Sequence, residues 1–449
     1  MKRRLPNNAG GLYAPRDDPD ADNDPFRPFT PDEYAAQLDG LRIFEQHPEV
    51  RCIWEFQPDK SPLQGLTFEP GATEVGASGY WIVTPFPDRR LLVHAPEALR
   101  AGRFRLNVSH TVLFDSNLYN AIVHFVEDPQ RLDEAQRAGV AALLDSLIAR
   151  RYDFQLLPYV VESLAANTFA EGFGHAHRAL KALLSLHTMD RERFRSDRAV
   201  VSDPANLALY EEEFGTTDLD EIAAIQLEPY RGHETIPPMV TVNLIALIEM
   251  VLIRKATLAT KSLEAQWGAF DAFTFGKFRA HLATLRFTAL HYFAGALDRW
   301  IRVQRASSPQ KAYDALENSA WDLFLGGLPD RVLAGSPIDH ATISHFCTRE
   351  RELALHLGNS ETAMIKVFSD GRYDPWVGFD FDSLATLLGL ERLSRVLAQG
   401  SSRAEAFFDA RAGTGRSRTE HDTLLAILAE QKSRFFKLIG NGTARQGRA

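Results

Sequence analysis

Thr111-Val-Leu-Phe-Asp115-Ser-Asn117-Leu-Tyr-Asn120 is the stretch on which the fold turns. A short apolar run of β-forming residues ends in a carboxylate, and a helix-compatible segment follows at once. An acid placed at the carboxyl end of a buried strand points into the crevice where α/β folds put their chemistry. A second unit follows in Phe154-Gln-Leu-Leu-Pro158-Tyr-Val-Val-Glu162: a short strand, a proline at a helix entrance and an acid on the first turn of that helix. Strand, helix, strand, helix implies a parallel sheet, and neighbouring strands aim Asp115 and Glu162 at one edge.

Two later acids sit in contexts that reach the same edge. Ala312–Leu325 is predicted helical and holds Trp321-Asp322. Ile343-Ser-His-Phe-Cys347 reads as a buried strand, and Thr348-Arg-Glu350-Arg-Glu-Leu353 opens the helix after it. Four converging carboxylates without paired Lys or Arg repel one another unless a hard cation joins them. All-oxygen ligands suit Mg2+ or Mn2+.

Each acid also has a plainer account. Asp115 is a good cap for the helix behind it. Glu162 complements a helix dipole in a first turn. Asp322 fits the surface of an amphipathic helix, and Glu350, beside Arg349, Arg351 and Glu352, fits a solvated charged turn. What favours a site is the order and context of the four together.

The 449 residues divide into six stretches. Residues 1–30, rich in Pro, Asp, Asn and Arg, read as disordered. Residues 31–107 read as a small α+β domain, with a helix over Thr30–Gln46 and strands at Arg51–Phe56 and Tyr80–Pro85. Residues 108–172 and 311–400 carry the α/β core in two parts. The intervening 173–310 read as an all-helical insertion, with Met239–Ala259 and Phe278–Val303 as its longest helices. Residues 401–449 read as a C-terminal helix and tail.

Composition is ordinary for a folded protein: 45% hydrophobic and 24% charged residues. Cys52 and Cys347 lie far apart, in no metal-ligand spacing, so the expectation is two reduced thiols in the cytoplasm. The basic start Met1-Lys-Arg-Arg lacks the apolar core of a secretory signal. Met239–Ile253, broken by Asn243 and Glu249, is too polar to span a membrane. A formal net charge of −9 gives no overall steering toward nucleic acid, so any such attraction has to be local. His175-Ala-His177 sits on a predicted helix, where i and i+2 side chains diverge. Asp339-His340 and Asp380-Phe-Asp382 are the alternatives to Glu350 as fourth acid. No Gly-x-Ser-x-Gly elbow and no phosphate-binding Gly-x-x-x-x-Gly-Lys-Ser/Thr loop occurs.

The motifs Phe-Asp115-Ser-Asn117, Tyr-Val-Val-Glu162-Ser-Leu, Asn318-Ser-Ala-Trp-Asp322-Leu and Cys-Thr348-Arg-Glu350-Arg-Glu-Leu353 resemble those of PIN-like nucleases. The resemblance covers residues 108–172 and 310–370. It implies a three-layer α/β/α sandwich with a parallel sheet. It also implies carboxylates at Asp115, Glu162, Asp322 and Glu350 that hold Mg2+ or Mn2+ and hydrolyse a phosphodiester, most often in RNA. Asn117 would orient Asp115, and Thr348 would be the hydroxyl two residues before the fourth acid. Two departures stand out: the long stretch between Glu162 and Asp322, and Glu rather than Asp at the fourth position.

On that reading, Arg279, Arg286, Arg299 and Arg302, spaced along one predicted helix, are the candidates for holding a phosphate backbone. The partner is nucleic acid, RNA by resemblance, with no membrane; the sequence leaves a homo-oligomer open. The competing readings are a non-catalytic helical scaffold and a metal-dependent hydrolase of small phosphorylated molecules.

Overall fold

The structure is a computed structural model. It describes residues 42, 44–56, 71–76, 78–86, 91–101, 106–150, 152–155, 157–166, 169–230, 236–257, 262–305, 308–411 and 421–446. The segment expected to be disordered, residues 1–30, lies outside these residues, as does most of the helix expected over Thr30–Gln46.

The protein is mixed α/β and is organised on two sheets. The five-stranded sheet has the order β2-β3-β7-β5-β6: Gly71–Glu74, Trp81–Thr84, His340–Thr348, Asn107–Phe114 and Asp153–Gln155. Strands β7, β5 and β6 run parallel, with Phe114 opposite Cys347 and Leu113 opposite Gln155. Strands β2 and β3 join antiparallel, with Trp81 opposite Thr348. The sheet is therefore mixed, where a parallel one was expected. The parallel part is its interior and one edge.

Strand β5 lies inside the sheet, between β7 and β6. Val112, Leu113 and Phe114 are all buried, the continuous apolar run of a strand covered on both faces. Alternate side chains enter two different cores. Val112 and Phe114 pack with α2 (Ser116–Glu127), α3 (Glu134–Ala149), α4 (Leu157–Ala166), α5 (Phe169–Thr188) and α8 (Leu219–Leu227). Leu113 packs with α9 (Pro238–Thr257), α10 (Leu263–Phe273), α11 (Ala283–Phe293), α12 (Pro309–Gly326) and the C-terminal α17 (His421–Gln446). Helices thus cover both faces of this sheet. Each fully buried large apolar side chain here contributes roughly 1.5–3 kcal/mol.

The second sheet is antiparallel throughout, β4-β1-β8-β9: Leu91–His94, Val50–Phe56, Ser360–Phe368 and Tyr373–Phe379. Its core joins Cys52, Trp54, Phe56 and Ile365 to Leu333 of α13 (Leu328–Gly335) and to Ile343 of β7.

One expectation about domains is corrected. Residues 31–107 form no separate unit in their described part, because β1 and β4 belong to one sheet and β2 and β3 to the other. The 173–310 block, expected as a helical insertion, packs into the cores on both sides of the five-stranded sheet. Its α5 and α8 join the core on one side of the five-stranded sheet and its α9, α10 and α11 join the core on the other. The helix expected over Phe278–Val303 is also broken. Arg279 and Gly295 have positive φ (50° and 88°), and only α11 between them is regular helix. Glycine takes that left-handed conformation without strain and stops a helix there. A run of turns from residue 294 to 300 and a short 3-10 turn at Arg302–Arg305 complete the segment.

Candidate active site

Asp115 follows the last residue of β5 and caps α2. Its Oδ1 accepts from Leu118 N at 2.7 Å. Its backbone N–H donates to Cys347 O at 3.0 Å, which extends the β5–β7 ladder by one residue. The other carboxylate oxygen, Oδ2, accepts from the Thr348 hydroxyl at 2.6 Å and from Arg349 N at 3.4 Å. Capping and site membership are thus compatible: one oxygen does each. Asp115 is 2% exposed, and burial pushes its carboxyl above the usual range; the three donors oppose this and Glu350 adds to it.

Glu162 lies on α4, in its second turn where the first was expected, because the helix begins at Leu157. It is half-buried and accepts from the Ser116 hydroxyl, the residue after Asp115. Burial raises its pKa, Ser116 lowers it and Asp115 raises it again.

Asp322 projects from α12 and accepts from the Trp300 indole N–H at 3.0 Å. It is pushed from 3.8 up to about 8, above all by burial. Trp300 pulls the other way, while Asp115, Glu162 and Glu350 all push it up. Glu350 caps α14 (Arg351–Gly358) and donates its N–H to Thr348 Oγ1 at 3.0 Å. Its two oxygens accept from Arg302 Nη2 at 3.0 and 2.9 Å.

The four acids therefore gather at the carboxyl edge of β5, β6 and β7, and the Asp322 carboxyl is raised by all three of the others. Thr348 binds both Asp115 and the Glu350 backbone, and so ties the first acid to the fourth. The alternatives to Glu350 lie elsewhere. Asp339 and His340 sit at the opposite end of β7, beside Asn107, and Asp380 accepts from Asp382 N at 2.8 Å before α15 (Asp382–Leu388). His175 is exposed on α5, while His177 contacts Asp220 O at 3.0 Å.

Several expectations need correcting here. Asn117 is exposed on the first turn of α2, and the described hydrogen bonds of Asp115 come from Leu118, Thr348 and Arg349. Glu350 was expected to lack a cationic partner and has Arg302. Arg286 is no surface cation: it is buried and paired with Asp271 at 2.6 Å. Arg279, Arg286, Arg299 and Arg302 do not share one helix, because the chain between them is broken at Gly295. Arg299 and Arg302 nevertheless reach the site, on the turns after α11. There Glu352 Oε2 accepts from Arg299 N at 3.1 Å and Trp300 N at 2.9 Å.

Residues 299–302 thus act as a strap from the helical block to the acids, through Trp300 to Asp322, Arg302 to Glu350, and Glu352 to the backbone. Sequence reading missed Ser116, Trp300 and Glu352. Ser116 was visible as the neighbour of Asp115; the other two depend on a turn that looked helical.

The donor set is all oxygen, which suits a hard divalent cation. Among the described residues, no group of three or more His, Cys, Asp or Glu is arranged to hold a metal ion. The orientations explain this: Asp115 is turned to Thr348 and Leu118, Glu162 to Ser116, Asp322 to Trp300, and Glu350 to Arg302. Holding an ion requires some of these contacts to open. No helix among the described residues is long and apolar enough to cross a membrane. No family model, curated protein or solved structure matches the chain.

Proposed function

We propose that the protein is a divalent-metal-dependent phosphodiesterase that cleaves nucleic acid, RNA foremost, with Asp115, Glu162, Asp322 and Glu350 as the metal-holding acids. The observation that carries the reading is the meeting of four carboxylates from four separate elements at one sheet edge, where burial and mutual repulsion raise three of them. Such an arrangement is strained without a cation and relieved by one.

Mg2+ or Mn2+ at such a site supplies a water acidified for attack and an electrostatic sink for the charge that develops on the phosphoryl oxygens. The chain's own groups divide the remaining work. Asp115, fixed by Leu118 N and Thr348, presents a rigid oxygen at the end of β5. Asp322, raised to about 8 chiefly by burial, has to release its proton to act as a ligand, so metal holding at this site is coupled to proton release. Arg299 and Arg302 sit at the rim, where a phosphate backbone would pass.

The deciding experiment incubates the purified protein with labelled RNA and DNA oligonucleotides in Mn2+, in Mg2+ and in EDTA. The expected outcome is cleavage with either ion and none in EDTA. Asp115→Asn and Asp322→Asn should each lower the rate by about a hundredfold or more, the scale of losing one electrostatic catalytic group. Unchanged cleavage by both variants sinks the reading. Turnover of a phosphomonoester with both nucleic acids left intact points instead to a small-molecule phosphohydrolase.

A further inference from the structure

We infer that Arg302 stands, on Glu350, in the place a divalent cation takes, so that loading the site expels this arginine from its ion pair. The inference rests on the metal-dependent reading and deepens it. Among the described residues, Arg302 is the one side chain that forms an ion pair with any of the four acids. Asp115, Glu162 and Asp322 are held by neutral donors: two backbone amides, two hydroxyls and an indole. Those contacts leave other lone pairs of each carboxylate for a ligand. The contact at Glu350 differs in kind, because both of its oxygens are taken by one guanidinium at 3.0 and 2.9 Å. A divalent cation on the same carboxylate would face that guanidinium across a few ångströms, and two cations cannot share it without strong repulsion.

The surroundings allow the exchange. The Arg302 side chain is 58% exposed, so its head can swing into solvent without opening a core. The turn that carries it is held independently, by Glu352 on the N–H groups of Arg299 and Trp300 and by Trp300 on Asp322. Release of the guanidinium therefore leaves the strap in place and puts a free positive charge at the rim of the recess. Metal loading and the positive charge offered to a phosphate become linked.

Mn2+ binding, followed by isothermal titration and by the loss of the free-Mn2+ paramagnetic resonance signal, tests this without any turnover. The proteins are full-length wild type, Arg302→Gln, Arg349→Gln, Glu350→Gln and the double variant Arg302→Gln/Glu350→Gln. Arg349 controls for simple charge removal: it neighbours the recess, but its guanidinium lies over the Tyr80 ring, 5.6 Å from the centroid. The expected result is Mn2+ affinity roughly two- to fivefold tighter in Arg302→Gln, the range a half-exposed ion pair spans. Arg349→Gln should tighten binding less, and Arg302→Gln should have no effect once Glu350 is Gln. Equal tightening by both arginine variants, or none by Arg302→Gln while wild type binds Mn2+, overturns the exchange. Absence of Mn2+ binding by wild type overturns the metal reading itself and the exchange with it.

Discussion

Two clusters in this protein are built from carboxylates and arginine, and they are balanced in opposite ways. At the sheet edge, four carboxylates share a recess with one paired guanidinium, Arg302. In the helical layer, one carboxylate, Asp271 of α10, is fully buried between two guanidiniums. Arg286 of α11 reaches it at 2.6 and 3.0 Å, and Arg403 of α16 (Leu390–Arg411) reaches it at 2.7 Å. Both guanidiniums also lie over the Trp267 ring, at 5.2 and 5.3 Å from its centroid, and Arg286 donates to Gly400 O at 2.9 Å. The helical cluster gives its one carboxylate more than enough positive charge and clamps three helices together. The sheet-edge cluster is over-supplied with negative charge and clamps little. A buried acid is thus no sign of a site by itself; the balance of charge around it is what differs between a clamp and a place for a ligand.

The largest effect tests the clamp. Asp271→Asn leaves two guanidiniums in the helical layer without their carboxylate, and breaking a buried pair in this way costs about 3–5 kcal/mol. Urea unfolding should show that loss equally in EDTA and in Mn2+, because the clamp has no link to the recess. A loss that Mn2+ rescues would mean the two clusters are coupled, and the contrast between them would fail.

The next effect tests the recess through pH. Asp322 is raised from 3.8 to about 8, so between those values the folded protein keeps a proton that the unfolded chain has lost. Its contribution to stability is complete at pH 4 and is lost as pH rises toward 8. Asp115 and Glu162, both raised, slope the same way. Melting in EDTA should therefore fall across pH 5–8, Asp322→Asn should flatten the fall, and Mn2+ should flatten it too by favouring the ionised form. Equal slopes for wild type and Asp322→Asn would show that the recess is not strained by charge.

The same contrast marks what the sequence could reveal. The strand ends and their acids were legible because they are local: Val112-Leu-Phe114 followed by Asp115, and Ile343–Cys347 followed by Glu350, carry the apolar run, the acid and the helix start within a few residues. The helical character of the 173–310 block was legible by composition, and of the two helices named in it Met239–Ala259 corresponds to one continuous helix. Three things were not. The β8–β9 hairpin was passed over because its alternation is interrupted by the register shift at exposed Ala363 and by Pro375 on the edge strand. The weaving of the N-terminal strands into both sheets rests on pairings such as Trp54 with Ile365, which no local pattern records. The strap was hidden because a helical pattern runs up to it, and only the positive φ of Gly295 turns the chain so that Trp300 and Arg302 reach the acids.

The smallest effect tests that strap at a single atom. Trp300→Phe keeps an aromatic ring where the indole stacks on His356, 6.2 Å between centroids, and removes the N–H that Asp322 Oδ2 accepts. That hydrogen bond is stronger to the ionised carboxylate than to the neutral one, so its loss favours the proton. The midpoint of the EDTA stability slope should move to higher pH, by roughly half a unit if the difference is near 0.7 kcal/mol. Metal-dependent activity, if it requires ionised Asp322, should move the same way at saturating Mn2+, with little change far above pH 8. A general loss of packing would lower stability at every pH and leave the midpoint where it was. An unmoved midpoint would leave Trp300 as a packing residue, and the strap would then touch the site through Arg302 alone.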